Sequence, residues 1–379
     1  MAGKGKTNIF VLLGYGFGAD SWRRRFNQGL IPGLNDELPY GYYRANSDDW
    51  SVEYSQDREE NALRRLSRRS LARLVGFDFI HTWGNRQQLM ASDAVWTHTE
   101  RECLAALLLL RIARPKDPPR IIAQCMWLAD RWPRFSSLRQ ELYTRLLRRA
   151  DIVITQSPAM LAKLYQILPE VPIECLLSGA CISNMKPPVK RPAHNPVRIA
   201  SVGSDMHRDW TTLIKAFGGI PSFDLRIASG KIPKSHYSNI VIAKAAREDH
   251  IKCLYEWADV VVVPLKMNHH ISGSTTIFEA TVSGKPVVAT DTGGLRAYFS
   301  DREICYVPIS DPPGMRAAVE RLANDSTLSF EMATAAQKRL LDAELTTEGC
   351  AQRHRELTER ILHLPSLTSE NSSRSSLSG

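Results

Sequence analysis

Residues 258–299 read ADVVVVPLKMNHHISGSTTIFEATVSGKPVVATDTGGLRAYF. The run Val260-Val261-Val262-Val263 has no polar alternation, which is the composition of a strand buried on both faces of a parallel sheet, and Pro264 stops it. A loop follows, then Ser272-Gly273-Ser274-Thr275-Thr276, a helical run over 277–283, and a second apolar strand over 286–290. Small hydroxylated residues and a glycine at a helix start leave backbone N–H groups aimed outward from the positive end of the dipole. Gly273, Ser274, Thr275 and Thr276 are therefore a candidate seat for a diphosphate. The same residues would also serve as an N-cap cluster, with Glu279 as the capping-box partner of Thr276. If the anion reading holds, Glu279 stands within reach of a ribose carried on that diphosphate. Gly293 and Gly294 then lie in a loop at the carboxyl end of the next strand, where ligands gather in open α/β sheets.

Outward from this stretch the same alternation continues. Strands are expected at 8–13, 78–82, 94–98, 120–125, 151–155 and 172–176, then at 197–202, 225–228, 240–243, 260–263, 286–290 and 305–308. Helices are expected over 313–324, 328–341 and 348–362. Strands alternating with helices predict an α/β fold with parallel sheets. A chain of 379 residues is long for one core, and the four prolines of 186–196 read as a linker between two domains. The expected domains are 1–190 and 196–364, with a Ser-rich disordered tail at 365–379 that has nothing to bury.

Composition narrows the function classes. No apolar run approaches the roughly 20 residues that span a bilayer, and the short run over 9–13 leads into a glycine turn rather than a signal-peptide core, so a cytoplasmic location is expected. The seven cysteines are scattered without Cys-x-x-Cys spacing and read as reduced, mostly buried thiols. The net charge of +9 sits entirely in the first half, where residues 1–195 hold 28 Lys and Arg against 19 Asp and Glu. That asymmetry points to a polyanionic partner: nucleic acid, a membrane surface or a phosphorylated acceptor.

The order of motifs in 258–299 resembles the nucleotide-sugar site of the retaining glycosyl transferases group 1 family of GT-B glycosyltransferases, the bacterial polysaccharide and glycolipid type. The matching residues are Ala258-Asp259, Val260 to Pro264, Ser272 to Thr276, Phe278-Glu279-Ala280, Gly284 to Thr290 and Gly293-Gly294. Upstream, Val202-Gly203 and His207-Arg208-Asp209-Trp210 look like the family's glycine turn and phosphate-binding cation. In the first half, 12–18 with Gly16 looks like the acceptor-side glycine loop, and Val95 to His98 like a strand ending in a sugar-contacting histidine. The resemblance implies two Rossmann-like domains facing each other across a cleft. The first would bind acceptor and the second would bind nucleotide sugar, UDP- or GDP-linked, without a further cofactor. It also implies a hexosyltransferase acting on a lipid-linked or saccharide acceptor with retention, in exopolysaccharide or glycolipid synthesis. One position departs from the pattern: many relatives carry a donor-hexose glutamate where this chain has Ile271.

Leaving-group charge develops on the diphosphate as the glycosidic bond breaks, so fixed cations and N–H groups there stabilise the transition state. Arg208, Lys266 and the 274–276 turn are the candidates, Lys266 having also the ordinary reading of a solvated loop lysine. His98 is a donor contact, a strand-end residue at the start of the helix near Thr99 or, in an inverting enzyme, a general base. His269-His270 has no acidic or cysteine partner at ligand spacing, so no metal is expected; Asp48-Asp49 reads as solvated loop. The helix over 100–114, with its leucines beside Arg111 and Arg114, is either a core helix with a basic rim or a face for an anionic membrane surface, which would make the protein peripheral on the inner face of the plasma membrane. The alternatives are a nucleotide-sugar 2-epimerase and a basic nucleic-acid-binding protein. The second is disfavoured because the first-half aromatics do not interleave with the arginines.

Overall fold

The computed structural model describes residues 5–230, 235–244 and 246–363, and the chain divides into two units. The first holds Met1–Arg24, Glu37–Leu177 and Cys350–Gly379; the second holds Arg25–Asp36 and Ser178–Gly349.

In the first unit β1 (Thr7–Leu12), β2 (Trp50–Tyr54), β3 (Ala94–Thr97), β4 (Arg120–Gln124), β5 (Ile152–Thr155) and β6 (Ile173–Cys175) form one parallel sheet in the order β2-β1-β3-β4-β5-β6. Successive side chains on a strand point to opposite faces. Phe10, Val95, Ile121 and Val153 pack on one side with Leu104 and Leu107 of the helix Glu100–Ala113. Ile9, Val11, Trp96, Ile122 and Ile154 pack on the other with Ala351, Leu357 and Ile361 of the helix Thr347–Leu362.

The second unit repeats the plan. Here β7 (Val197–Val202), β8 (Phe223–Ala228), β9 (Ile240–Ala243), β10 (Val260–Val263), β11 (Val287–Thr290) and β12 (Cys305–Val307) form a parallel sheet in the order β12-β11-β10-β7-β8-β9. Every residue of β10 and β11 is buried, as the unbroken apolar runs predict. In both sheets the first strand has its sequence successor on one side and a later strand on the other. The loops leaving β1 and β3, and those leaving β7 and β10, therefore diverge at the carboxyl ends and open a crevice.

Two elements differ from expectation. Residues 78–82 are not a strand: Asp78 accepts a hydrogen bond from the His81 N–H at 3.0 Å and caps the helix Phe79–Gly84. The strand the sheet uses at that edge is β2, whose short and half-exposed sequence carries little apolar signal.

The unit boundaries also differ. The proline-rich stretch 186–196 is a strap on the second unit, where the Lys186 N–H bonds the Val282 carbonyl at 2.8 Å and the His194 N–H bonds Asp259 at 3.0 Å. The chain passes between units before it, after Leu177. The last helix, expected with the second domain because it follows it, returns to the first. Its apolar stripe fills the open face of the first sheet, and Trp96 Nε1 donates to Thr358 Oγ1 at 2.9 Å. The expected tail at 365–379 lies outside the described residues.

Candidate functional site

Arg208 sits in the loop after β7, and its guanidinium is buried, 5% exposed, against the start of the helix Ser274–Val282. Arg208 Nη2 donates to Thr276 Oγ1 at 2.7 Å, and Thr276 Oγ1 in turn donates to the Val202 carbonyl at 3.1 Å. Arg208 Nε and Nη1 are buried with no hydrogen-bond partner among the described residues. A buried charged donor left unpaired is costly and calls for an acceptor. Burial lowers the Arg208 pKa to about 10, so it remains a cation at neutral pH.

Two glycines make room for this guanidinium. A Cβ on Gly203 (φ +149°) would fall 2.1 Å from Arg208 Nε, and one on Gly273 (φ +88°) would fall 2.9 Å from Arg208 Nη1. Gly273 is also the N-cap of the helix. The intrahelical ladder opens with the Ile277 N–H on the Gly273 carbonyl at 3.0 Å, so the amides of Thr275 and Thr276 lie ahead of it. Ser274 is half-buried and Thr275 exposed, with the Ser274 N–H taken by the Ile271 carbonyl at 3.1 Å. Cation, helix start and glycine turn thus converge at the β7/β10 switch point.

Glu279 is 7% exposed, and both its oxygens are engaged within the second unit. Oε2 accepts from the Tyr255 hydroxyl at 2.8 Å and Oε1 from the Leu34 N–H at 3.0 Å. Burial raises its pKa. The capping-box arrangement with Thr276 is not formed, because the Thr276 hydroxyl belongs to Arg208 and Val202. The loop over 25–36 reaches Glu279 only because Gly33 (φ +96°) has no side chain: a Cβ there would lie 2.1 Å from Oε1. Sequence reasoning did not foresee this contact, which spans 245 positions. Each oxygen keeps a second acceptor direction.

Lys266 is exposed just past β10, and its N–H bonds the His207 carbonyl at 2.7 Å. Gly293 (φ +83°) and Gly294 open the turn after β11, where the Gly293 N–H bonds Asp291 Oδ1 at 2.9 Å and a Cβ on Gly293 would meet nothing within 4 Å. Ile271, the departure from the family pattern, is buried at 4% exposure.

The His269-His270 pair requires a correction. Sequence spacing offers no acidic partner, but the fold brings Asp205 and His207 from the loop after β7 to His270. The ligand atoms of all three lie within 4.8 Å of one another.

In the first unit His98 directly follows β3, which closes one residue earlier than expected at Thr97, and is 8% exposed. Its Nδ1 pairs with the Tyr42 hydroxyl at 2.9 Å, and its ring stacks on Tyr40 with centroids 3.5 Å apart. Tyr40 holds a left-handed backbone (φ +60°) and stacks in turn on Phe17, 6.0 Å away. Burial, reinforced by His354, lowers the His98 pKa to about 3. Capping of the helix Glu100–Ala113 falls to Thr99, not His98. Gly16 (φ +100°) lies after β1, its N–H on Asp57 Oδ1 at 2.9 Å.

Sequence reasoning also passed over Glu102. Burial raises its pKa to about 7; its Oε2 accepts from the Thr99 hydroxyl, and its Oε1 lies 3.0 Å from where a Gly14 side chain would begin. A first-turn glutamate gives no sequence signal of this kind.

The leucines of Glu100–Ala113 settle the two readings of that helix: Leu104, Leu107 and Leu109 are core, so it is a core helix with a basic rim.

Residues 189–325 match the family model described as Glycosyl transferases group 1. In fold the chain is similar to sucrose-phosphate synthase from Thermosynechococcus elongatus, at 16% identity over 93% of this chain and 99% of that one, with a TM-score of 0.70. It is similar to Anabaena HepE in complex with UDP and glucose, at 14% identity over 93% and 99%, with a TM-score of 0.66. It is similar also to a mutant of S. aureus TarM in complex with fondaparinux, alpha-GlcNAc-glycerol and UDP, at 12% identity over 74% of this chain and 59% of that one, with a TM-score of 0.57. No curated protein matches the sequence. The second unit thus carries a glycosyl transferases group 1 segment, and the chain has the two-sheet fold of the GT-B glycosyltransferases it is similar to.

Proposed function

We propose that the enzyme moves a hexosyl group from a nucleotide-diphosphate sugar to a lipid-linked or saccharide acceptor, with retention, in exopolysaccharide or glycolipid synthesis in the cytoplasm. The observation that carries this reading is the buried Arg208 guanidinium, with Nε and Nη1 unpartnered among the described residues, at the start of Ser274–Val282. A diphosphate supplies the acceptor oxygens those donors lack, and the helix dipole adds to the attraction. As the leaving group gains charge, these fixed donors bind it more strongly than the ground state. Ser274, Thr275 and Thr276 cradle the phosphates. Lys266 flanks them, Gly293-Gly294 leaves space for the sugar, and Glu279 takes ribose hydroxyls on its remaining acceptor directions. UDP is the favoured nucleotide, because HepE and TarM are seen with it.

The state of His98 speaks against its use as the general base of an inverting reaction. An imidazole with a pKa near 3 accepts a proton poorly at neutral pH, whereas a general base works best with a pKa near the operating pH. The role assigned to His98 is sugar contact on the first unit, where Tyr40 and Phe17 stand beside it as an aromatic wall, with Gly16 on the acceptor side.

A lipid-linked acceptor fits a surface on the first unit. The helix Ala62–Val75 exposes Leu63 at 75%, Leu66 at 64% and Leu74 at 74%, beside exposed Arg64, Arg65, Arg69 and Arg73. Apolar side chains set among arginines suit the interface of an anionic bilayer. Among the described residues no helix is long and apolar enough to cross a membrane.

The test is thermal stabilisation by UDP, GDP and ADP against a short oligonucleotide, followed by a donor-hydrolysis screen across nucleotide sugars. A shift with one nucleoside diphosphate, lost in Arg208→Ala, supports the reading. No shift with any of the three, or a shift with the oligonucleotide alone, rejects it.

A further inference from the structure

We propose that Asp205, His207 and His270 form a binding site for a divalent transition-metal ion of the Zn2+ class, clipping the loop after β7 to the loop after β10. The two carboxylate–imidazole separations match those between neighbouring ligands of one ion. Ligand atoms about 2.0–2.2 Å from a tetrahedral zinc stand roughly 3.3–3.5 Å from each other. Asp205 Oδ1 lies 3.3 Å from His207 Nδ1, and Asp205 Oδ2 lies 3.5 Å from His270 Nε2. The imidazole rings meet edge to face with centroids 4.8 Å apart, and the ligand atoms of all three residues lie within 4.8 Å of one another. Two imidazoles and a carboxylate are a borderline ligand set that selects Zn2+ and its first-row neighbours over Mg2+ or Ca2+.

The surroundings hold the carboxylate in place, as outer partners do at metal centres. Asp205 Oδ1 accepts from the His207 N–H at 2.7 Å and from Ser272 Oγ at 3.1 Å. The two loops are already tied by the Lys266 N–H on the His207 carbonyl at 2.7 Å and the Asp209 N–H on the Pro264 carbonyl at 3.0 Å. Asp205 and His207 come from one loop and His270 from the other, so an ion here fastens the backbone one residue before Arg208. The role is distinct from donor chemistry and does not depend on it.

The experiment is a Zn2+ titration of the chelator-stripped full chain in competition with a chromophoric chelator, with no nucleotide present. One tight equivalent is expected, weakened at least tenfold in Asp205→Asn and in His270→Gln and abolished in the His207→Ala/His270→Ala double variant. Loading with Co2+ separates this site from the seven thiols, because a nitrogen and oxygen ligand set gives no thiolate charge-transfer band. The proposal is overturned if wild type binds no more Zn2+ than the double variant. It is overturned equally if the bound Co2+ carries the thiolate band. Variants that melt cooperatively near the wild-type temperature show that lost binding is not lost folding.

Discussion

Arg208 Nη2 donates to Thr276 Oγ1 at 2.7 Å across 68 positions of sequence, joining the loop after β7 to the first turn of the helix Ser274–Val282. This bond aims a buried cation along the amides of a helix start. Replacing Arg208 with Ala should lower kcat/KM by about 10²–10³-fold, the usual cost of removing one donor to developing negative charge. The free protein should melt at the same temperature or higher, because an unpaired buried charge has been removed. The nucleotide-induced rise in melting temperature should vanish. Differential scanning fluorimetry with and without UDP reads both effects.

The glycines beside Arg208 give a steric version of the same test. Gly203→Ala places a methyl 2.1 Å from Arg208 Nε and should displace the guanidinium, abolishing the UDP response. Gly293→Ala meets no neighbour and should cost only the left-handed strain, roughly 1–2 kcal/mol, with nucleotide binding retained. Equal loss of UDP binding in the two variants, measured by calorimetry, would show that steric room for Arg208 is not what Gly203 provides.

Glu279 holds the Leu34 amide, so Glu279→Ala should speed hydrogen exchange at Leu34 and neighbouring amides of 25–36. The Tyr255 hydroxyl loses its acceptor in the same variant, which should destabilise the second unit by about 1–3 kcal/mol. Exchange mass spectrometry showing no change in that loop would contradict the contact.

Acid should destabilise the first unit. Burial lowers the pKa of His98 to about 3 and that of His354 to about 4, while both titrate near 6.5 when unfolded. Below pH 6.5 the unfolded chain therefore binds protons that the folded chain refuses, and stability falls with pH until the folded values are reached. At pH 5 the loss is about 2 kcal/mol for each histidine. The His354→Gln variant should show a shallower decline between pH 6.5 and 5 in urea denaturation followed by tryptophan fluorescence.

The exposed Leu63, Leu66 and Leu74 should carry binding to anionic vesicles. Changing all three to Ser should abolish co-sedimentation with phosphatidylserine-containing vesicles and leave the melting temperature near wild type, since these side chains are solvent-facing. Wild-type binding should weaken as salt is raised, because the flanking arginines are screened.

Sequence alone determined most of the fold, for a local reason: strand and helix periodicities are written in neighbouring residues. The buried run Val260 to Val263 became β10, 197–202 and 240–243 became strands over those same residues, and the three late helices fell within a few residues of their expected ends. The helix start at Ser274 was legible as well, because a helix start needs only its own first turn. Tertiary structure decided what depends on distant partners. Residues 78–82 look like a strand until Asp78 caps a helix, and the half-exposed β2 becomes a strand only by pairing with β1. The last helix follows the second unit in sequence, but its apolar stripe fits the open face of the first sheet. Glycines at 33, 203 and 273 are permissive residues in the sequence, and folding turns them into the spaces that admit Glu279 to Leu34 and Arg208 to Thr276. Asp205 and His270 lie 65 positions apart, and only the close approach of the β7 and β10 loops, set by strand order, makes them neighbours.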